Sequence, residues 1–160
     1  MGANELSMQL WRERELLEFL LFKLEEQRLL LGAGSMRWIH YATREVEQVL
    51  EQLRTSGLGR DVEVAAVAAD WGVPEATTLS ELIAAAPTDA WREVFTEHRA
   101  ALTTRMSEVA QLKDSSEAYL RAAVRAVEET LAGLAASTGE YTTQGERARE
   151  DTARLVDTEM

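Results

Sequence analysis

The chain has 160 residues, enough for one domain with a sizeable core, and 46% of them are hydrophobic, too many for a wholly disordered chain. Its formal net charge of −11 repels phosphate backbones and argues against nucleic-acid binding. It contains no cysteine, which excludes disulfides, cysteine-ligated zinc sites and thiol catalysis.

The sequence shows neither a signal peptide nor a membrane span. Residues 1–7 lack a basic region followed by an apolar run, which a signal peptide requires. The most apolar stretch, residues 16–24, is interrupted by Glu18 and Lys23 and is too short to cross a bilayer. We therefore predict a cytoplasmic protein that does not insert into membranes.

The first predicted helix, from about Asn4 to Leu31, has a leucine at every seventh position, at residues 10, 17, 24 and 31. Charged residues fill most other positions, which predicts an amphipathic helix of roughly 40 Å at about 1.5 Å per residue. Phe19 and Phe22 carry the apolar surface further around this helix. It is therefore either the central helix of a bundle or a helix with a dedicated ligand-binding face.

A short turn, Gly32-Ala33-Gly34-Ser35, follows the last leucine of this repeat. A glycine here is typical of a helix end, and Ser35 is a candidate N-cap for the next helix. Because so short a turn reverses the chain, the second helix is predicted to run antiparallel to the first. The glycines at 57 and 59 predict a bend, or two stacked helices, before an end near Asp70.

The middle of the chain, residues 71–89, contains both prolines of the sequence and is predicted to be an irregular crossover. Within it, Thr78 is a candidate cap for a short helix over residues 79–86. This crossover is expected to connect two ends of the helical domain.

The last long helix is predicted to start at Thr88 or Asp89 and to end near Ala136. Beyond that point the sequence loses its periodicity and becomes mostly charged, which predicts a disordered or weakly helical tail over residues 137–160. The predicted fold is all-α: an elongated antiparallel helical bundle, or coiled-coil hairpin, of three long helices with one short helix in the crossover. Residues 1–136 form the helical domain.

Residues suited to catalysis are few, since the chain has two histidines and no cysteine. His40 is predicted on the polar side of the second helix, and His98 at the edge of the apolar stripe of the last one. The paired Glu-x-x-His steps of di-iron bundles are absent, as are a Ser-His-Asp set and a phosphate-binding loop. We predict a protein with no cofactor, no metal and no enzymatic activity.

Four tryptophans, at residues 11, 38, 71 and 91, are the other conspicuous side chains. Each lies near an end of a predicted helix, where the ring can pack while its N–H stays solvated. Packing at the helix ends is the main prediction for all four, and a role in binding is the alternative.

Two segments resemble the FlgN family, the flagellar export chaperones for the hook-filament junction proteins. Residues 10–27, LWRERELLEFLLFKLEEQ, are similar to the first helix of that family. Residues 38–54, WIHYATREVEQVLEQLR, are similar to its second helix in the high-GC Gram-positive form. The likeness covers residues 6–70 and extends more loosely over the last helix.

The resemblance implies a cytoplasmic chaperone that binds the C-terminal helical segments of hook-associated junction proteins, keeps them soluble and delivers them to the flagellar type III export gate. In the family the client binds the C-terminal helical region, which corresponds here to residues 118–134. A partner helix laid on that region would bury a row with i, i+4, i+7 spacing, and the alanines between would allow close approach. The alternative is that this row completes the bundle core. Its members are Leu120, Val124, Val127, Leu131 and Leu134.

The resemblance also implies that a tyrosine in the C-terminal region contacts the export gate. Tyr141 is the only tyrosine after the predicted last helix, so it is the candidate, and a tail tyrosine without a role is the alternative. A different class of function also remains open. In it the chain is a self-associating coiled-coil structural or adaptor protein whose apolar faces pair with a second copy.

Overall fold

The structure, a computed structural model, describes residues 2–73, 76 and 78–156, and from residue 137 onward it describes the backbone alone. No strand occurs within these ranges, so the predicted all-α class is confirmed. Nor does any helix in the same ranges combine the length and apolarity needed to cross a membrane. Four helices follow one another: α1 (Gly2–Gly32), α2 (Met36–Asp70), α3 (Leu79–Ala84) and α4 (Asp89–Val156).

The chain divides into two compact units, Met1–Tyr119 and Leu120–Met160, and α4 contributes residues to both. The sequence instead suggested a division at residue 136, between a helical domain and a tail. That separate tail stays a prediction. The first unit contains α1, α2, α3 and the first part of α4.

α1 buries a stripe whose members are spaced alternately by three and four residues, as in a coiled-coil helix. The leucines of the seven-residue repeat are all part of it. Two polar residues, Glu13 and Gln27, also occupy stripe positions, and each bonds to α2. Arg60 Nη1 donates to Glu13 Oε1 at 2.6 Å, and Gln27 Nε2 donates to Thr43 Oγ1 at 2.9 Å. The buried members of the stripe are Ala3, Leu6, Leu10, Glu13, Leu17, Leu20, Leu24 and Leu31.

The turn after α1 depends on Gly34, whose φ of 69° lies in the left-handed region that favours glycine. The Ser35 amide donates to the Leu30 carbonyl at 3.0 Å and the Gly34 amide to the Leu31 carbonyl at 3.1 Å, which closes the helix end. Ser35 is at the N-cap position of α2, as predicted, but its side chain makes no capping hydrogen bond.

α2 returns antiparallel to α1. Near the turn Lys23 Nζ lies 2.7 Å from Glu45 Oε2, and further along Gln9 bonds to Ser56. α2 continues as one helix through residues 57–59, where the sequence suggested a bend or a second helix. Contact with α1 explains this, because Gln9 Nε2 donates to the carbonyl and the hydroxyl of Ser56 at 2.8 and 3.0 Å. A Cβ at Gly59 would lie 3.1 Å from that nitrogen, so glycine lets Gln9 approach.

The crossover after α2 contains the short helix that Thr78 was predicted to cap. Thr78 Oγ1 accepts from the Glu81 amide at 3.2 Å, and Glu81 Oε2 accepts from the Thr78 amide at 3.0 Å. This reciprocal pair is a capping box. It fixes α3, which buries Leu82 completely. Pro74 lies outside the described residues.

α4 begins at Asp89, as predicted, and Thr88 Oγ1 accepts from the Trp91 amide at 3.3 Å. The helix is longer than the sequence suggested, because its backbone continues past Ala136 to Val156. No proline follows Pro87, and a glycine inside a helix costs only about 1 kcal/mol relative to alanine. Loss of apolar periodicity removes a reason for packing, but it does not itself end a helix.

Two hydrophobic clusters hold the first unit together. One joins the start of α1, the end of α2, α3 and the start of α4, with Phe95 fully buried in it. The Phe95 ring centroid lies 5.5 Å from that of Trp91 and 6.0 Å from that of Trp71. The other cluster joins the second half of α1 to α2 and α4: Leu20, Leu24, Val46 and Val49, with Leu53, Val109 and Leu112 against them.

Polar contacts show that α4 runs parallel to α1 within this unit. Ser7 bonds to His98 near the start of both helices, and Glu18 Oε2 lies 2.7 Å from Arg105 Nε further along both. α1 is therefore in contact with α2 on one side and with α4 on another.

The aromatic contacts predict the stability of one matched pair of variants. We expect Phe95→Ala to lower the free energy of unfolding by about 3–5 kcal/mol, because it leaves a cavity beneath two indole rings. Phe22→Ala, which truncates a 58% exposed ring on α1, should change it by only about 0.5 kcal/mol. Urea denaturation followed by circular dichroism measures both, and similar losses would contradict the assignment of the core.

The buried Glu13 predicts a pH dependence. Desolvation raises the pKa of its carboxyl above the usual 4.5, Arg60 lowers it by a smaller effect, and Asp61 adds to the rise. The folded state thus holds the proton more tightly than the unfolded chain. The stability this contributes is complete below the unfolded pKa and is lost as pH rises through the folded pKa.

We therefore expect Glu13→Gln, which keeps the shape without the charge, to gain stability relative to the wild type as pH rises from about 4 to about 7. Urea denaturation at a series of pH values measures this difference. Glu47→Gln, which removes one carboxylate from the exposed side of α2, is the control for the loss of one negative charge. A curve for Glu13→Gln parallel to that of the wild type would rule out the raised pKa.

Candidate protein-binding surface

The five residues that the resemblance assigns to client binding lie on α4 in the second unit. All five are exposed, from 38% for Leu120 to 60% for Leu131. None belongs to either hydrophobic cluster. We call these five residues the α4 row: Leu120, Val124, Val127, Leu131 and Leu134.

The helical spacing brings the members of the α4 row together. Side chains three and four residues apart on a helix are neighbours, with Cβ atoms about 5–6 Å apart. The row extends from Leu120 to Leu134, roughly 21 Å at about 1.5 Å per residue. Between its members lie the small residues Ala123 and Ala126, which let another backbone approach closely. Such a surface fits one face of a partner helix.

The size of the α4 row limits how tightly it can bind alone. Full burial of a valine or leucine contributes about 1.5–3 kcal/mol, so covering the exposed half of five such side chains yields roughly 5 kcal/mol. Association itself costs about 4–15 kcal/mol. A partner held with useful affinity must therefore bury further surface beyond this row.

The proposed gate residue cannot be placed in the same way. The backbone of residue 141 is helical, but the side chain of Tyr141 lies outside the described residues. Its role in contacting an export gate stays a prediction.

Other large apolar side chains are also exposed on the first unit. Phe19 and Phe22, which the sequence analysis noted, are 45% and 58% exposed, and their centroids lie 6.4 Å apart in a stacked arrangement. Lys23 Nζ lies 5.5 Å and 5.3 Å from the two ring centroids. These rings lie outside the buried stripe of α1, so that helix has apolar groups on two sides.

The tryptophans separate into two groups. Trp71 and Trp91 pack near helix ends beside Phe95, as predicted. Trp11 lies well inside α1 and is 51% exposed, which corrects the prediction that it packs at a helix end. Trp38 lies in the first turn of α2, yet its ring is 47% exposed.

His98 is buried at the contact of α4 with α1, consistent with a core-edge position. Arg14 Nη1, which can only donate, lies 3.4 Å from Nδ1, so Nδ1 accepts and the proton is on Nε2. Nε2–H therefore donates to Ser7 Oγ at 3.1 Å. Desolvation lowers the pKa of His98, Arg14 lowers it further and Glu97 opposes both.

The Ser7–His98 pair is consequently arranged for structure and not for nucleophilic catalysis. A serine nucleophile must donate its proton to an unprotonated histidine nitrogen, and a carboxylate must hold the other nitrogen. Here the histidine donates to the serine, and an arginine occupies the place of the carboxylate. This pair was not predictable from the sequence, because Ser7 and His98 are 91 residues apart in the chain.

The remaining titratable groups form no recognisable reaction site among the residues described. His40 is exposed beside Tyr41, with centroids 3.9 Å apart. No group of three metal-ligating side chains occurs in those ranges. A cleft of about 400 Å³ lies over Glu13 between α1, α2 and α4, and most of its lining residues are apolar. Its polar lining is one carboxylate and two arginines, with no nucleophile.

Similarity to a known protein family extends over most of the chain. A family model described as FlgN protein matches residues 1–149. No curated protein and no solved structure matches. The matched range contains α1, α2, α3 and all of the α4 row. FlgN is a family of chaperones and not one known for enzymes, and membership supports a general role in flagellar export. With most of its length matched, the chain belongs to the FlgN family.

Proposed function

We propose that this chain is a cytoplasmic export chaperone for hook-associated, hook-filament junction proteins. It binds their C-terminal helical segments, keeps them soluble and delivers them to the flagellar type III export apparatus. Family membership supports the general role. The observation that carries the specific one is the exposed α4 row, an apolar helical surface in a chain of strongly acidic composition.

In this proposal the first unit is the scaffold. Its three long helices form a bundle in which α1 is central, with α2 antiparallel and α4 parallel to it, and the two clusters keep α1 and α2 fixed. The α4 row is the surface that exchanges one client for the next, and binding requires no covalent step. An amphipathic client helix would place its own apolar stripe along the row, the helix-in-groove mode of recognition.

The acidic composition suits a chaperone with exposed leucines and valines. Net charge far from zero keeps a protein with apolar patches from associating with itself and precipitating. The net charge of −11 therefore favours a client-free chain that does not self-associate through the exposed α4 row.

A self-associating structural protein is the second candidate, because the same exposed row could pair with a second copy. Size-exclusion chromatography with light scattering separates the two proposals. A monomer that forms a complex with a junction protein supports the chaperone. A tight dimer that ignores junction proteins supports the structural protein.

Substitution of the row provides the direct test of client binding. We expect Val124→Asp/Leu131→Asp to weaken binding of a co-expressed junction protein by about 100-fold, since two charges would be buried against an apolar helix. Leu58→Asp/Val62→Asp is the matched control, because these α2 residues are 69% and 68% exposed and are not in the row. This control variant should bind the junction protein with wild-type affinity, as measured by isothermal titration calorimetry.

Deletion of residues 118–160 should abolish the same binding. Intact binding after this deletion, or equal losses in the row variant and its α2 control, would show that the client binds elsewhere.

Tyr141 is tested separately from client binding. We expect Tyr141→Ala to bind junction proteins like the wild type but to reduce their secretion by roughly tenfold, since a central interface tyrosine contributes at least about 1–2 kcal/mol. Leu58→Ala, which truncates a 69% exposed side chain on α2, is the control and should leave secretion unchanged. Unaltered secretion in Tyr141→Ala would remove this residue from the proposal.

A further inference from the structure

One side of the first turns of α2 carries exposed aromatic rings and arginines together. Trp38 and Tyr41 are 47% and 52% exposed, and Arg37 and Arg44 are exposed as well. Arg37, Tyr41 and Arg44 have the i, i+4, i+7 spacing that aligns side chains along one side of a helix, and Trp38 lies beside them. We call these four residues the α2 surface. None of them belongs to either hydrophobic cluster.

The two rings of the α2 surface and the Arg37 guanidinium lie in contact with one another. The centroids of Trp38 and Tyr41 are 6.1 Å apart, and the Arg37 guanidinium carbon lies 4.7 Å from the Trp38 centroid. The backbone beneath is fixed too, because Gln27 of α1 bonds to Thr43 and Lys23 to Glu45. Side chains ordered before binding lose less entropy when a partner arrives. Tryptophan, tyrosine and arginine are also the residues that dominate binding energy at protein interfaces.

The stretch that carries this surface is basic, although Glu45 and Glu47 follow it directly and Glu45 is paired with Lys23. Residues 27–44 contain no aspartate or glutamate, although 28 of the 160 residues are acidic. Of the three arginines in this stretch, Arg28 is paired with Glu25. Within the part of the chain that the structure describes, Arg37 and Arg44 form no ion pair with a carboxylate. Two guanidiniums that are not paired with a carboxylate of the described residues thus lie on the same side of α2 as two aromatic rings.

These features favour a segment that combines carboxylates with apolar side chains. Carboxylates bind the guanidiniums by charge-assisted hydrogen bonds, and apolar groups pack on the rings. The surface extends along the side of α2, the direction in which another helix would lie. The turn at residues 32–35 offers glycine, alanine and serine, which are poor groups for insertion into a bilayer, and the net charge repels anionic lipid.

We infer that the α2 surface is a docking site for an acidic amphipathic helix of a partner protein. It is separate in sequence from the α4 row, and the inference does not rest on the proposed client. It gives the chain a second binding surface of different chemistry, selective for acidic partners where the α4 row is selective for apolar shape.

The test uses the full chain and two labelled synthetic peptides of equal length. Both carry leucines at helical spacing, with glutamate at the other positions in one and lysine in its match. Binding is followed by fluorescence anisotropy, and the indole N–H signals of the tryptophans are followed by NMR. The Trp38 signal is assigned by its loss in Trp38→Phe. The glutamate peptide should bind and shift that signal, while those of Trp71 and Trp91 stay in place.

Charge reversal should then remove the interaction. We expect Arg37→Glu/Arg44→Glu to weaken binding of the glutamate peptide by about tenfold, and Arg37→Gln/Arg44→Gln by a smaller factor. Arg12→Glu/Arg99→Glu is the matched control, since both arginines are exposed and the change in net charge is the same. This control variant should bind the glutamate peptide only slightly more weakly than the wild type, because its added negative charges repel the peptide from a distance. Higher salt should weaken peptide binding by every variant.

Several results would overturn the inference. They are equal binding of the lysine peptide, equal losses in the two charge-reversed variants, or peptide binding without a shift of the Trp38 signal. Binding to phosphatidylglycerol vesicles that depends on Arg37 and Arg44, with no binding of the glutamate peptide, would assign the surface to a membrane instead. Val124→Asp/Leu131→Asp should leave the Trp38 shift intact, so failure of the proposed client site is distinguishable from failure here.

Discussion

The buried contact between α1 and α2 is the constraint on which the rest of the first unit depends. Its apolar members would allow the two helices to slide past each other by a heptad, because leucines and valines repeat along both. Glu13 and Gln27 remove that freedom, since each has one partner on α2. A slip would leave the buried Glu13 carboxylate without the arginine that partly offsets its desolvation. The polar positions fix the register that the apolar ones leave open.

That register determines what remains for binding. With α1 in contact with both α2 and α4, its leucine stripe is buried within the chain. Exposed apolar side chains lie outside that stripe, among them the α4 row, the rings of Phe19 and Phe22, and the rings of the α2 surface. The acidic net charge keeps a chain with these exposed apolar side chains dispersed in water. A partner that covers any of them would bury apolar surface that the fold leaves exposed.

Much of this architecture follows from local rules that act on neighbouring residues. The leucine heptad predicted the buried stripe, and the threonine–glutamate spacing at Thr78 predicted the capping box, because both depend on helical spacing alone. The burial of Glu13 was not predictable in this way, since a charged residue in a leucine repeat resembles the solvent side of a helix until Arg60 is placed opposite it. The continuity of α2 through its glycines likewise depends on Gln9, which is distant in sequence. The exposure of the α4 row required the fold, because the same spacing also suits a core helix.

The distribution of the tryptophans allows intrinsic fluorescence to report on both folding and binding. Two indoles are packed around Phe95 and two are half in water, so the emission spectrum contains a shielded and an accessible component. Soluble quenchers such as iodide reach the second component first. Loss of the shielded component reports unfolding of the first unit, whereas protection of the accessible one reports that a partner covers Trp11 or Trp38. Folding and binding can thus be distinguished in one unlabelled sample.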